Sequence, residues 1–311
     1  MSHVILCNTG SDMLSRIDTE SLELQNYTLS GDEISFGPHE ITQYNDSILT
    51  ANNYNNTISI VDKSVFEENY KSDAENLSKD EIFLGKQKNI YIGACPNDAA
   101  QYNNEILVTC GESDSIIIYN LINEKISFNI PVGIFPHNIT IYKKKNLAFT
   151  SNMGDDSISV IDLKINKEIK KITVENTPIK IKISNNNRYI YVCISYLGYD
   201  KEGYIGIISL DTLELINKIK VGFSPVDLFE DNDYLYVSDF CGSSISIINL
   251  KEFKREGKIE ILGMPRGIVK FHKKIFAADY LNGFVNVINL ETKEIKAIAV
   301  GKEPNAMTLI K

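Results

Sequence analysis

A chain of 311 residues with 43% hydrophobic and 23% charged side chains has enough apolar material for a sizeable core and gives no compositional reason for disorder. Its formal charge is −9 and its 32 basic residues are interspersed with 41 acidic ones, so no segment offers a counter-surface for phosphate backbones; nucleic acid is excluded as an expected partner. No run approaches the roughly 18–20 apolar residues of a membrane span, the first residues show no basic leader region, and five cysteines are scattered along the chain, from which a cytoplasmic protein with reduced thiols and no membrane partner is expected.

The first predicted elements are strands: HVILCN, MLSRID and then LQNYTL or EISFG, with turn residues between them. From Pro38 onward the chain repeats. Seven of its eight prolines (Pro38, Pro96, Pro136, Pro178, Pro225, Pro265 and Pro304) each open a β-rich stretch, at successive gaps of 58, 40, 42, 47, 40 and 39 residues. Four strands of about 5–6 residues with short turns fill roughly 40 residues, the size of one propeller blade. After Pro136 the strands read Asn138–Tyr142, Leu147–Asn152, Ile158–Asp162 and Glu168–Val174; the stretches after Pro225 and Pro265 repeat the order.

The two ends of the chain are complementary. The N-terminal segment supplies a second, third and fourth strand without a proline-led first one, and Pro304–Ile310 supplies only that first strand. The prediction is an all-β, seven-bladed β-propeller of four-stranded antiparallel blades, one domain over 1–311, closed by pairing Met307–Ile310 with Val4–Cys7 so that no sheet edge is left open.

Two departures from the minimal repeat stand out. Blade 2 carries an insertion at about 63–87 whose segment SVFEENYKSDAENL has helical, acidic composition; it is expected on the bottom face as a candidate protein-partner contact. Blade 5 has a long turn, Tyr196–Tyr204, expected on the top face over the channel mouth.

The first strand of each propeller blade lines the central channel, so the residues after the seven prolines form a ring. They are His39–Glu40, Asn97–Asp98, His137–Asn138, Ile179–Lys180, Val226–Asp227, Arg266–Gly267 and Asn305–Ala306. Polar followers of a strand-opening proline suit a hydrated channel mouth. Equally, His39, His137 and Arg266 are candidate catalytic groups, with Glu40, Asp98, Asn138, Lys180 and Asp227 as candidate ligand-binding groups. The second-strand ends form another ring, in which Asn52, Asn152, Asp239 and Asp279 are further candidate ligand-binding residues, although Asn and Asp there can also satisfy turn backbone. The third-strand ends, such as Asp62, Asp162 and Asn249, read as turn formers on the opposite face. No close-spaced metal motif occurs. A divalent ion held by His39 and His137 with Asp227, Asp239 or Asp279 is a candidate cofactor, and Cys95 and Cys110 are near enough in pattern for a thiol–imidazole pair to be weighed. No P-loop, nucleophile elbow or dinucleotide fingerprint is present.

The segments AFTSN…SISVID (148–162), ILTANN…TISIVD (48–62), LYVSD…SISIIN (235–249) and FAAD…VNVIN (276–289) resemble the YVTN repeat. The chain therefore looks like a member of the YVTN-repeat seven-bladed propellers, a family that includes surface-layer-type and YncE-like proteins. This resemblance implies a fold more than an activity. The expected function is binding of a small molecule or peptide at the top-face channel mouth, or service as an interaction scaffold. The alternative, by resemblance in architecture to propeller lactonases and streptogramin lyases, is a hydrolase or lyase with His39 or His137 as general base and Arg266 stabilising negative charge; the lyase-type LWFTE repeat is absent.

Overall fold

In each repeat the second strand is apolar almost throughout, as in Val4–Cys7 or Leu147–Phe149, and such strands are stable only when both faces are covered. The fourth strands, such as Lys167–Thr173, expose their Lys and Glu side chains to water. The computed structural model, which describes residues 2–29, 35–67, 81–83 and 86–310, satisfies both demands. Seven antiparallel sheets stand side by side in a ring, with second and third strands sandwiched between neighbouring blades. The chain is a seven-bladed β-propeller with no α-helix among the described residues.

Each blade runs from the channel outward in chain order. Blade 1 is the exception: its inner strand is Pro304–Ile310, followed by His3–Asn8, Met13–Asp18 and Leu24–Thr28. The pairing is His3 with Ile310, Val4 with Leu309, Ile5 with Thr308 and Leu6 with Met307, the closure expected from the two incomplete ends. Ile5, Ala306 and Ile310 sit in one apolar cluster with Ile41 and Ile48 of blade 2. Burying each large aliphatic side chain contributes about 1.5–3 kcal/mol, so the closing strand is held by packing as well as by its ladder.

The turns follow their sequence. At the end of the third strand Asp18, Asp62, Asn120, Asp162, Asn249 and Asn289 each accept one or more backbone N–H bonds from two or three residues ahead, and the Ser209 hydroxyl does the same. The blade-2 insertion begins with a short 3-10 turn, Lys63–Phe66, not a longer helix. Phe66 is buried against Tyr27 of blade 1, with ring centroids 4.9 Å apart and near-perpendicular planes, and its carbonyl accepts a bond from Arg16. Residues 68–80, most of the stretch expected to be helical, lie outside the described residues. Beyond them Glu81–Phe83 adds a fifth, parallel strand to the outer edge of blade 1, a pairing that nothing in the repeat announced.

The first strand carries one irregularity that matters for the channel. Every blade shifts register just after its proline: Pro38 pairs with Asn52 but Glu40 with Ala51, and the same slip follows Pro96, Pro136, Pro178, Pro225, Pro265 and Pro304. A bulge re-aims side chains that strict alternation would send to opposite faces. Two consecutive residues per blade can thus face the axis, which is how both members of the pairs His39–Glu40, Lys180–Ile179 and Asp227–Val226 come to line one narrow neck.

Candidate functional site

At the proline end, the bulged residues form the floor of a cup of about 200 Å³ lined by His39, Asn97, His137, Ile179, Val226 and Arg266, with Phe135, Met153, Leu197 and Phe240 in its walls. His39 comes from blade 2, His137 from blade 4 and Arg266 from blade 7, and the fold brings them together: the two imidazole centroids are 5.2 Å apart at 81°, and Arg266 Nη2 lies 3.0 Å from His39 Nε2. Arg266 Nε also bonds Asn305, and its guanidinium sits 5.3 Å from the Tyr280 ring centre and 5.9 Å from that of Phe240.

These contacts fix the state of His39. Its Nδ1 lies 3.1 Å from the Asn97 carbonyl, which can only accept, so the proton is on Nδ1 and the Nε2 lone pair takes the Arg266 N–H. Burial, Arg266 and the neighbouring His137 hold this imidazole well below its ordinary value. Burial first, then Arg266 and Lys180, press His137 down to about 3. His137 is only 9% exposed, the Ile179 carbonyl beside its ring works against that depression, and its Nδ1 has no partner.

One layer deeper, Lys180 Nζ lies 2.8 Å from Glu40 Oε2 across the axis and 3.9 Å from Asp227 Oδ1. Burial alone would lower this lysine, but Glu40, Asp227 and Asp98 outweigh it and hold it above its ordinary value. Asp98 is pushed up to about 7 by burial and by Glu40, and Asp227 up to about 6 by burial, against the pull of Lys180. With the neck reduced to about 20 Å³, this layer plugs the channel at mid-height.

Three of the candidate ligand-binding residues have their polar atoms committed to joining blades. Asp98 Oδ2 accepts the Ile139 N–H at 3.0 Å, Asn138 Oδ1 that of Ile181 at 3.0 Å, and Asp227 Oδ2 that of Ile268 at 3.0 Å. Asn138 Nδ2 also bonds Asp98 at 2.5 Å. Each is the second residue after its proline, bonded to the third residue after the next proline, so the polar ring staples successive blades.

The second-strand ends are not part of the cup. Asn52 and Asn152 direct Nδ2 to hydroxyls of their own third strands, Ser59 at 2.8 Å and Ser159 at 2.8 Å, and Asp239 accepts from Ser246 at 2.7 Å and from the Gly222 N–H. Asp279 accepts the Met264 N–H at 3.1 Å and the Asn282 side chain. All four are buried inside their blades, where their polar atoms satisfy neighbouring strands and turns, the structural alternative weighed for this ring. In blade 5 the residue paired with the proline is Ile194, so that ring is not wholly polar.

The expected donor set does not fit a metal ion. A guanidinium occupies the His39 lone pair, Asp239 and Asp279 face elsewhere, and no three His, Cys, Asp or Glu side chains converge among the described residues. Burial pushes Cys110 up to about 12 and raises Cys95 as well, so neither supplies a thiolate to an imidazole. His39 has no lone pair free to accept a proton, and an imidazole held at about 3 is a weak base. What the cup offers is hydrogen bonding: a bare imidazole nitrogen and a guanidinium, under aromatic and aliphatic walls.

Several lining residues fall outside the sequence pattern that singled out the site. Phe135 precedes a ring proline and Phe240 follows a second-strand end, so only the folded turn brings them beside the histidines. Leu197, from the long blade-5 turn, reaches the cup as that turn's expected place on the top face requires, while Tyr196 anchors the turn by bonding Glu175 and packing against Tyr199 and Tyr204.

No family model matches the chain. The curated protein Antigen Lp49 of Leptospira interrogans (serogroup Icterohaemorrhagiae, serovar copenhageni) is 26% identical over 174 residues, which are 53% of this chain and 38% of that protein, so the match spans well under half of that relative. Solved structures share the whole ring. A chain of Kuenenia stuttgartiensis hydrazine synthase superposes with a TM-score of 0.71 at 14% identity, covering 91% of this chain and 97% of that one. A functionally unknown protein from Desulfotomaculum acetoxidans gives 0.74 at 12% identity over 99% and 98%, and AztD from Citrobacter koseri 0.61 at 13% over 99% and 97%. The likeness is one of fold, and these neighbours differ in function.

Proposed function

We propose that this propeller, a relative of the YVTN-repeat type, binds a small molecule in the cup at the proline end of its channel, with His137 and Arg266 as the polar contacts. The observation that carries the reading is His137, which lines the cup and whose buried Nδ1 has no partner. Buried polar atoms are nearly always hydrogen-bonded, and each exception calls for an explanation; a ligand N–H or O–H supplies one. Arg266 beside it suits a ligand oxygen, and Phe135, Phe240 and Leu197 suit an apolar body. A pocket of a few polar groups on a rigid closed scaffold needs no catalytic base, which favours binding over hydrolysis or lyase chemistry.

The test is a thermal-shift screen against a metabolite library, with hits repeated on His39→Gln/His137→Leu. Stabilising ligands are expected for the native protein and should lose about 1–3 kcal/mol of binding in the variant. Hits whose affinity and shift are unchanged in that variant contradict the reading.

A further inference from the structure

Below the plug the channel opens again into a chamber of about 410 Å³ that shares no lining residue with the cup. Strand alternation turns the residues two places after Glu40, Asn138, Lys180 and Asp227 toward the axis, namely Thr42, Thr140, Lys182 and Phe229. Lys182 differs from Lys180 in forming no salt bridge among the described residues. Among the described residues no carboxylate comes within salt-bridge distance of it, and the nearby Glu230 carboxylate is turned to the Asn185 N–H at 2.8 Å. Lys182 is half-buried, and an ammonium partly withdrawn from water without an ion pair is costly; burial lowers its pKa and the charge on Lys180 adds to this, while Glu230 and Asp227 offset part of it. From the next blade onward the wall is apolar, formed by Phe229, Val269 and Met307.

We propose that this chamber is a second ligand site, taking a small monocarboxylic acid whose carboxylate pairs with Lys182 and Thr140 while its apolar body lies on Phe229 and Val269. Charge decides for one carboxylate over a phosphate or a diacid. Of the described residues lining the chamber, Lys182 is the lysine without an ion pair, and Glu40 and Asp227 stand one strand step above it, so a second negative charge on the ligand meets repulsion. The site is independent of the cup, because the plug separates the two spaces.

Methionine-methyl NMR reads both chambers at once, since Met307 lines the lower one and Met153 the cup. The native protein, labelled at the methionine methyls, is titrated with propionate, pyruvate and benzoate. At least one acid should shift the Met307 methyl saturably and leave that of Met153 in place. Lys182→Met should weaken this binding about tenfold or more, Lys182→Arg should retain it, and His137→Leu should not alter it. No saturable shift with any of the three acids, a shift confined to Met153, or equal affinity in Lys182→Met overturns the proposal; the native titration decides even if Lys182→Met fails to fold.

Discussion

Arg266 and His39 are separated by 227 residues, yet Nη2 of one lies 3.0 Å from Nε2 of the other across the channel. Only a closed ring brings blade 7 within reach of blade 2, with blade 1 alone between them, and the contact sets the tautomer of His39. Paired with Lys180 and Glu40 one layer deeper, it divides the channel into two spaces of different character.

Ring closure itself gives the plainest prediction. Deleting residues 304–311 removes the inner strand of blade 1, with buried Ala306, Met307 and Ile310, and leaves the His3–Asn8 edge unpaired. The truncated protein should lack a cooperative thermal transition by circular dichroism. A melt like that of the full chain contradicts closure.

The blade staples should matter for stability. Asn138→Ala removes the acceptor of the Ile181 N–H and a donor to Asp98 together. Each buried group left unsatisfied costs about 1–3 kcal/mol, so the urea midpoint should fall with unchanged slope. A loss within about 0.5 kcal/mol, as for an ordinary surface substitution, contradicts the staple role.

The plug predicts a non-additive pair. Lys180→Met leaves Glu40, whose side chain is 11% exposed, without its cation, which should cost about 3–5 kcal/mol. Adding Glu40→Gln removes the stranded charge and should restore part of that loss. Additive losses in the double variant mean that the two side chains do not interact.

The pH dependence has a defined sign. His137 protonates at about 3 in the folded protein and at about 6.5 when unfolded, so between these values the unfolded chain holds the extra proton and stability falls as pH is lowered. His39 acts in the same direction. Asp98 and Asp227, raised to about 7 and about 6, act oppositely: folding holds their protons, and stability is lost as pH rises from about 4 through those values. His137→Leu removes one histidine contribution. The native protein should therefore lose stability relative to this variant as pH falls from about 6.5 to about 4; a constant difference in urea midpoint contradicts a buried, neutral His137.

Much of this was legible in the sequence, for a physical reason. Strand-opening prolines, apolar second strands and Asp or Asn at third-strand ends are local requirements that recur in every blade, and so the blade count, the closure and the turns could be read from residue types alone. The polar pairs after the prolines marked the channel wall for the same reason. The direction of each side chain was not legible. The bulge after each proline sends His39 and Glu40 to different layers, and the amide bonds of Asp98, Asn138 and Asp227 depend on the neighbouring blade's height. Asn52 and Asp239 shared a pattern with the channel ring but found serine partners one strand further out. Lys182 was passed over because only three-dimensional structure shows that its neighbour Lys180 is paired and it is not.

Nitrogen-15 NMR of the four imidazoles tests the cup most directly. Between pH 5 and 8, a range spanning the ordinary histidine value of about 6.5, His39 and His137 should stay neutral, His39 as the Nδ1–H tautomer and His137 with a bare Nδ1. A ligand of the cup should then move the His137 Nδ1 resonance and leave the His39 tautomer unchanged. Titration of either ring near its ordinary value, or a bound ligand that leaves the His137 Nδ1 resonance where it was, contradicts the account.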